Sequence, residues 1–301
     1  NTIIGMEVAQ GYHLIEIPER GIKWDMPQHL AYCDARQFAE MADLFYRYLS
    51  GSIDYEQLRY LAVYRLLNLK RAQEHKDEEL ELQKNANIYQ ISTYLDSFFQ
   101  PREKQSDPIV IRQEYVHNAI PEVRHRFKKY YGPADHMEDI TFGQYVDALN
   151  IFAMYAIQPQ KELLYNLWAI FYQPKKFKEA KKFDKHGVDT RARMARHIYL
   201  GNIFGFYLFF ASFQEYLATA TVHYEGRELD LSILYIESKD KFKSRIPGIG
   251  MKSTAFMLAE TSAFGSLDEV EQAPFWTIIL RMYDIKKRDL DNEAREKQKK
   301  K

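Results

Sequence analysis

A chain of 301 residues is long enough for one large or two ordinary domains, and its 46% hydrophobic and 15% aromatic content excludes disorder over most of its length. The 42 basic and 42 acidic residues cancel, which excludes a protein that coats nucleic acid along its whole surface; phosphate contact must be local, and low self-repulsion leaves self-association open. The single cysteine, Cys33, excludes an intrachain disulfide framework and a cysteine-rich zinc site, and it fits a reducing compartment.

Residues 1–7 have no basic stretch and no long apolar run, so they do not read as a signal peptide. Residues 12–17, before Pro18, read as a short β piece. Pro27 suits the first turn of a helix, which is expected to run to Leu49 and stop at Ser50 and Gly51. Leu30, Asp34, Phe38, Met41 and Phe45 would form its mostly apolar stripe. Asp54 and Gln57 form a capping box ahead of a helix carrying Leu58, Leu61, Leu66 and Leu67. The charge-rich residues 71–82 read as a solvated helix face or exposed connector, and 88–99 as a further helix. The polar, proline-bounded loop 101–108 is the best early candidate for a domain boundary, in a chain that can also be one domain.

Thr141 is a candidate cap for a helix over 142–156, and Pro159 opens another through Tyr172. The Lys- and Phe-bearing residues 175–182 form a basic patch that can hold phosphate but more often is an exposed helix face. The longest helix is expected over 189–218. Its almost wholly apolar stretch 198–213 is shorter than a bilayer span of about 20 residues. It reads instead as a helix buried on all sides, with Gly201 and Gly205 allowing close backbone packing. A small β-hairpin is predicted near 219–236, turning at 225–227. A last helix runs from Pro274 past Tyr283, and the charged tail 286–301 is expected to be frayed or partner-bound.

The pattern therefore predicts a mainly α, multi-helix architecture with short β pieces at the N-terminus. It would comprise an N-terminal helical region over 1–100, a main helical domain over 109–285 and a charged tail over 286–301. No phosphate-loop, nucleophile-elbow or zinc-helix motif occurs, so no catalytic residue is assigned. Two Glu-x-x-His patterns, Glu114 with His117 and Glu122 with His125, would put a carboxylate and an imidazole on one helix face. Di-iron bundles draw two such pairs from different helices, whereas these lie eight residues apart with Pro121 between them. His29 and Cys33, four apart, read as a buried thiol beside a hydrogen-bonded imidazole. No metal and no cofactor is expected; a metal-dependent helical oxidase built on Glu114 and His117 is the reading this sets aside.

Residues 245–255, Arg-Ile-Pro-Gly-Ile-Gly-Met-Lys-Ser-Thr-Ala, resemble the helix-hairpin-helix element of DNA glycosylases and related repair proteins. The resemblance implies that Gly248 and Gly250 offer backbone N–H groups to a DNA phosphate and that Lys252 stands at the family's Schiff-base position. The chain departs from that pattern where Thr254 replaces a small alanine and where Asp268 lies in a polar turn.

Three further stretches are similar to helical neck and tail proteins, or tail-assembly helpers, of tailed phages of Bacteroidota, including crAss-like phages. They are 22–28 with the helix ending at 65–70, then 140–147, and then 258–270 with 275–280. This resemblance implies a non-catalytic, homo-oligomeric structural or assembly component of a virion. Its partners would be itself and other virion or assembly proteins, with no membrane, and it would reside in the host cytoplasm during assembly and then in the particle. The alternative is a helical nucleic-acid-binding protein that uses Gly248, Gly250 and Lys252.

Overall fold

The computed structural model describes residues 8–9, 11–17, 21–70, 78–104, 108–174, 184–235, 251–261 and 264–299. Among these, ten α-helices and seven short strands make a mainly α architecture whose sheets are small and antiparallel. The chain divides into two units, one of residues 1–115 with 199–209, the other of residues 116–198 with 210–301.

In the first unit, β1 (Val8–Ala9), β2 (Tyr12–Ile17) and β3 (Ile22–Pro27) pair antiparallel in chain order. Ile15 and Met26 are buried while Lys23 and Asp25 face water, the period of two that a half-covered sheet requires. Pro27 ends a strand and does not open a helix. The helix α1 (Ala35–Leu49) starts eight residues later, where the Asp34 carboxylate accepts from the Gln37 backbone N–H and the Gln37 side chain accepts from the Asp34 N–H. Asp34, expected within the stripe, is therefore the cap. Phe38, Met41, Ala42 and Phe45 form the buried face at helical spacing.

The predicted capping box of Asp54 and Gln57 opens α2 (Tyr55–Leu66), which buries Leu58, Ala62, Val63 and Leu66. The helix expected over 88–99 is instead α3 (Glu78–Ser92) followed by a tighter 3-10 run, Thr93–Phe98. Phe45 meets Phe98 and Phe99 at ring-centroid distances of 6.2 and 5.7 Å. Residues 199–209 bring the first half of α7 (Leu200–Thr219) into this unit. A Cβ on Gly201 would overlap the Ala39 carbonyl oxygen, so α1 and α7 approach backbone to backbone as the Gly201-x-x-x-Gly205 spacing leads one to expect.

The second unit holds β4 (Glu122–His125) paired with β5 (Lys128–Tyr131), then α4 (Phe142–Ile157), α5 (Lys161–Phe171) and α6 (Val188–Ala195). After the second half of α7 come β6 (Thr221–Tyr224) paired with β7 (Arg227–Asp230), α8 (Met251–Glu260), α9 (Leu267–Gln272) and α10 (Phe275–Lys299). Thr141 caps α4 in a capping box with Gln144. The single long helix expected over 189–218 is broken at 196–199 into α6 and α7, and the 25-residue α10 is the longest described helix. The hairpin near 219–236 is present but shorter, its second strand giving way to a 3-10 run, Leu231–Tyr235. Glu225 and Gly226 both take positive φ, the turn that matches strand twist in a two-residue hairpin.

Aromatic rings fill this unit's core: Trp168 stacks on Tyr172 at 4.5 Å, and Phe275 lies 4.6 Å from Tyr145 and 5.7 Å from Phe213. Backbone bonds from Phe142 N–H to the Ala273 carbonyl and from Phe275 N–H to the Ile140 carbonyl tie the starts of α4 and α10 together. The tail 286–301, expected to be frayed or partner-bound, is helical as far as Lys299, supported by pairs such as Lys287 with Asp291 at 2.7 Å and Arg288 with Asp284 at 3.0 Å. No helix among the described residues is long and apolar enough to cross a membrane.

Candidate functional site

Of the loop residues assigned to nucleic acid, Gly248 and Gly250 lie outside the described residues, and Lys252 is the second residue of α8. Its Nζ donates to the Glu271 carboxylate at 2.6 Å, and Lys185 donates to the other oxygen of the same group. Glu271 is buried near the end of α9. Burial works to raise its carboxyl, but the two lysine hydrogen bonds outweigh that and hold it below the usual carboxylate range. Asp147 on α4 feels the same lysines. Burial and the Glu271 charge prevail there, and its carboxyl is raised. Glu271 thus engages the ammonium that the helix-hairpin-helix resemblance places at the Schiff-base position. The basic patch at 175–182 lies outside the described residues.

The Glu-x-x-His patterns do not sit on helices. Glu122 and His125 are the ends of strand β4, where residues three apart face opposite sides of the sheet. Glu122 is held by Lys129 and Arg124, whose hydrogen bonds keep its carboxyl below the usual range. Glu114 pairs with Arg112 at 2.8 Å, and His117 Nδ1 lies 2.9 Å from Asp135. His29 and Cys33 also leave the helix expected for them. His29 Nδ1 caps a 3-10 turn by accepting from Ala31 N–H at 3.4 Å, while the buried Cys33 thiol donates to the His29 carbonyl. Among the described residues, no group of three or more His, Cys, Asp or Glu side chains is placed to hold a metal ion.

Two features of the second unit present chemistry to solvent, one beside the hairpin expected near 219–236 and one that sequence reasoning did not assign. The first is an open groove of about 600 Å³ whose lining includes His136, Tyr216, Val222, Tyr224 and Trp276. His136 and Met137 are held at φ +52° and +51°, and the Trp276 indole N–H donates to the His136 carbonyl at 3.0 Å. The His136 ring sits edge-on to Tyr216 at 5.8 Å. The β6–β7 hairpin forms one wall. Neither of its outer edges pairs with a strand among the described residues, and six of its eight strand residues are exposed.

The second feature is the tip of the β4–β5 hairpin. Arg126 and Phe127 make the two-residue turn between His125 and Lys128, with Arg126 at φ +53°. Phe127 is fully exposed, and Arg126 and Lys128 make no ion pair among the described residues. Val123 between the polar Glu122 and Arg124, with Tyr130 following Lys128 and Lys129, was the weak alternation available in the sequence for this hairpin, and those two residues are the buried pair on facing strands. It was masked by the Glu-x-x-His spacing and by the absence of a glycine turn.

Comparisons with protein-family models, with curated proteins and with solved structures give no match.

Proposed function

We propose that this chain is a non-catalytic, homo-oligomeric structural or assembly component of a phage virion, of the neck, tail or ring kind. It works with other virion or assembly proteins, in the host cytoplasm during assembly and then in the particle. The carrying observation is the β6–β7 hairpin. A two-stranded sheet is marginally stable by itself, and its unpaired edges offer backbone donors and acceptors that a neighbouring subunit can complete. The groove beside it carries aromatic side chains of the kind enriched at protein interfaces. Zero net charge removes long-range repulsion between copies.

Native mass spectrometry in low and high salt tests this reading, using the intact chain and a Tyr224→Lys variant, which puts a charge on the hairpin wall of the groove. A closed, salt-resistant oligomer that the variant weakens is expected. A monomer at both salts and at the highest concentration reached would sink it.

A further inference from the structure

The geometry points to the β4–β5 tip as a contact for single-stranded nucleic acid, with Phe127 as the platform for one base and Arg126 and Lys128 for the flanking phosphates. This goes beyond the assembly reading and does not depend on it. It also moves the nucleic-acid contact away from the 245–255 loop, where Glu271 engages Lys252.

Four observations converge on the tip. Residues 124–129, Arg-His-Arg-Phe-Lys-Lys, concentrate cations at one end of a hairpin in a chain whose total charge is zero. The hairpin then sorts them. Arg124 and Lys129 face each other across the strands and share Glu122, which partly neutralises the outer face. Arg126 and Lys128 have no such counterion among the described residues, so exposed charge without a counterion flanks Phe127 on both sides along the chain. The Phe127 ring stands fully in water, and any base can stack on such a face whatever its sequence. Finally, Arg126 occupies the left-handed region at φ +53°, where Asn, Asp or Gly is the usual residue, so a long cation stands where the backbone disfavours it.

The same tip fits other anionic partners less well. A bilayer anchor needs more apolar area than one ring, and the residues on both sides of Phe127 are charged or polar out to His125 and Lys129. An acidic protein surface would take the cations but leaves the ring without a role. Duplex nucleic acid presents phosphates but no unstacked base for the ring to cover.

The test is fluorescence anisotropy of a labelled oligo-dT of about 20 nucleotides, long enough for one site, titrated with the full chain at several salt concentrations. The wild type should bind at low salt and release as salt rises. The double variant Arg126→Ala/Lys128→Ala should bind more weakly, with the slope of log affinity against log salt reduced by about 1.4, roughly 0.7 for each phosphate no longer neutralised. Phe127→Ala should lose about tenfold in affinity at an unchanged salt slope, whereas Phe127→Tyr, which keeps a stacking ring, should bind as the wild type. All these side chains are exposed, so matching circular dichroism spectra are expected. Lys252→Ala should leave affinity unchanged.

The proposal is overturned if the oligonucleotide does not bind at the lowest salt, or if only Lys252→Ala weakens it. It is also overturned if polyglutamate displaces the oligonucleotide while Phe127→Ala has no effect. Vesicles containing phosphatidylserine that capture the protein through Phe127 when oligo-dT does not bind would assign the tip to membranes instead.

Discussion

Lys252 and Glu271 meet at 2.6 Å, the lysine in the first turn of α8 and the carboxylate near the end of α9, and the same carboxylate takes Lys185. One buried anion thus joins three segments of the second unit. Its folded-state carboxyl lies below its ordinary value, because the lysine hydrogen bonds overcome burial. A depressed acid stabilises the fold above its unfolded value of about 4.3 and loses that contribution as pH falls through the lower folded value. Glu271→Gln is predicted to cost about 2 kcal/mol at pH 7, discounted because both lysines keep part of their ammonium in water. The gap between wild type and variant should close below about pH 4 in thermal melts taken from pH 7 to 3. Asp147 has the opposite sign. Its raised carboxyl makes the ionised form the strained one, so Asp147→Asn should leave stability at pH 7 unchanged or higher.

Gly201 gives a prediction for the first unit. A Cβ there would overlap the Ala39 carbonyl oxygen, a backbone atom that cannot swing aside as a side-chain end can. Gly201→Ala should therefore cost about 2–4 kcal/mol, despite the better helix propensity of alanine. Gly51 is the control. Open space surrounds it at φ +72°, so Gly51→Ala should cost about 1 kcal/mol for backbone strain alone. Denaturant melts of the two variants check the order, and equal losses would refute the close approach of α1 and α7.

The parts of this fold that were legible in the sequence are those decided within four residues. The capping boxes at Asp54 and Thr141 place the polar groups that satisfy a helix start, so α2 and α4 could be read directly. The Glu225–Gly226 turn was legible for the same reason. Pro27 misled because proline suits both a helix's first turn and a strand's end, and the choice was made by β2 pairing across to it. Nothing between Arg196 and Tyr199 is a helix breaker, and the structure offers no local cause for the break between α6 and α7. The candidate site was the least legible part. Whether Lys252 is available is decided by Glu271, nineteen residues away, and the β4–β5 tip comes from a pairing that the Glu-x-x-His spacing disguised as helix.

Asn118 is a further point where one side chain holds several backbone groups. It is buried. Its amide donates to the Pro133 carbonyl at 2.8 Å and its oxygen accepts from Ile120 N–H at 3.0 Å, while the Ile120 carbonyl takes the Tyr172 hydroxyl at 2.6 Å. Asn118→Ala should strand a buried donor and a buried acceptor together and cost about 3 kcal/mol. Tyr172→Phe removes one partner from a carbonyl and should cost about 1–2 kcal/mol. Thermal unfolding of the two variants should preserve that order, and a near-neutral Asn118→Ala would show that water replaces the amide.

Arg126 links stability to the proposed contact. At φ +53° an arginine carries a steric penalty that asparagine largely avoids. Its side chain makes no ion pair among the described residues that substitution would remove. Arg126→Asn is therefore predicted to raise stability by about 0.5 kcal/mol, a gain of roughly 1–2 °C in melting temperature for a unit of this size. The same change removes one phosphate-binding cation, so oligo-dT affinity should fall and the salt slope should drop by about 0.7. Opposite movements in stability and binding are what a strained residue that makes the contact would give. If the Arg126→Asn variant bound oligo-dT as tightly as the wild type, the strained arginine would have no part in the contact, and the tip would reduce to its exposed ring.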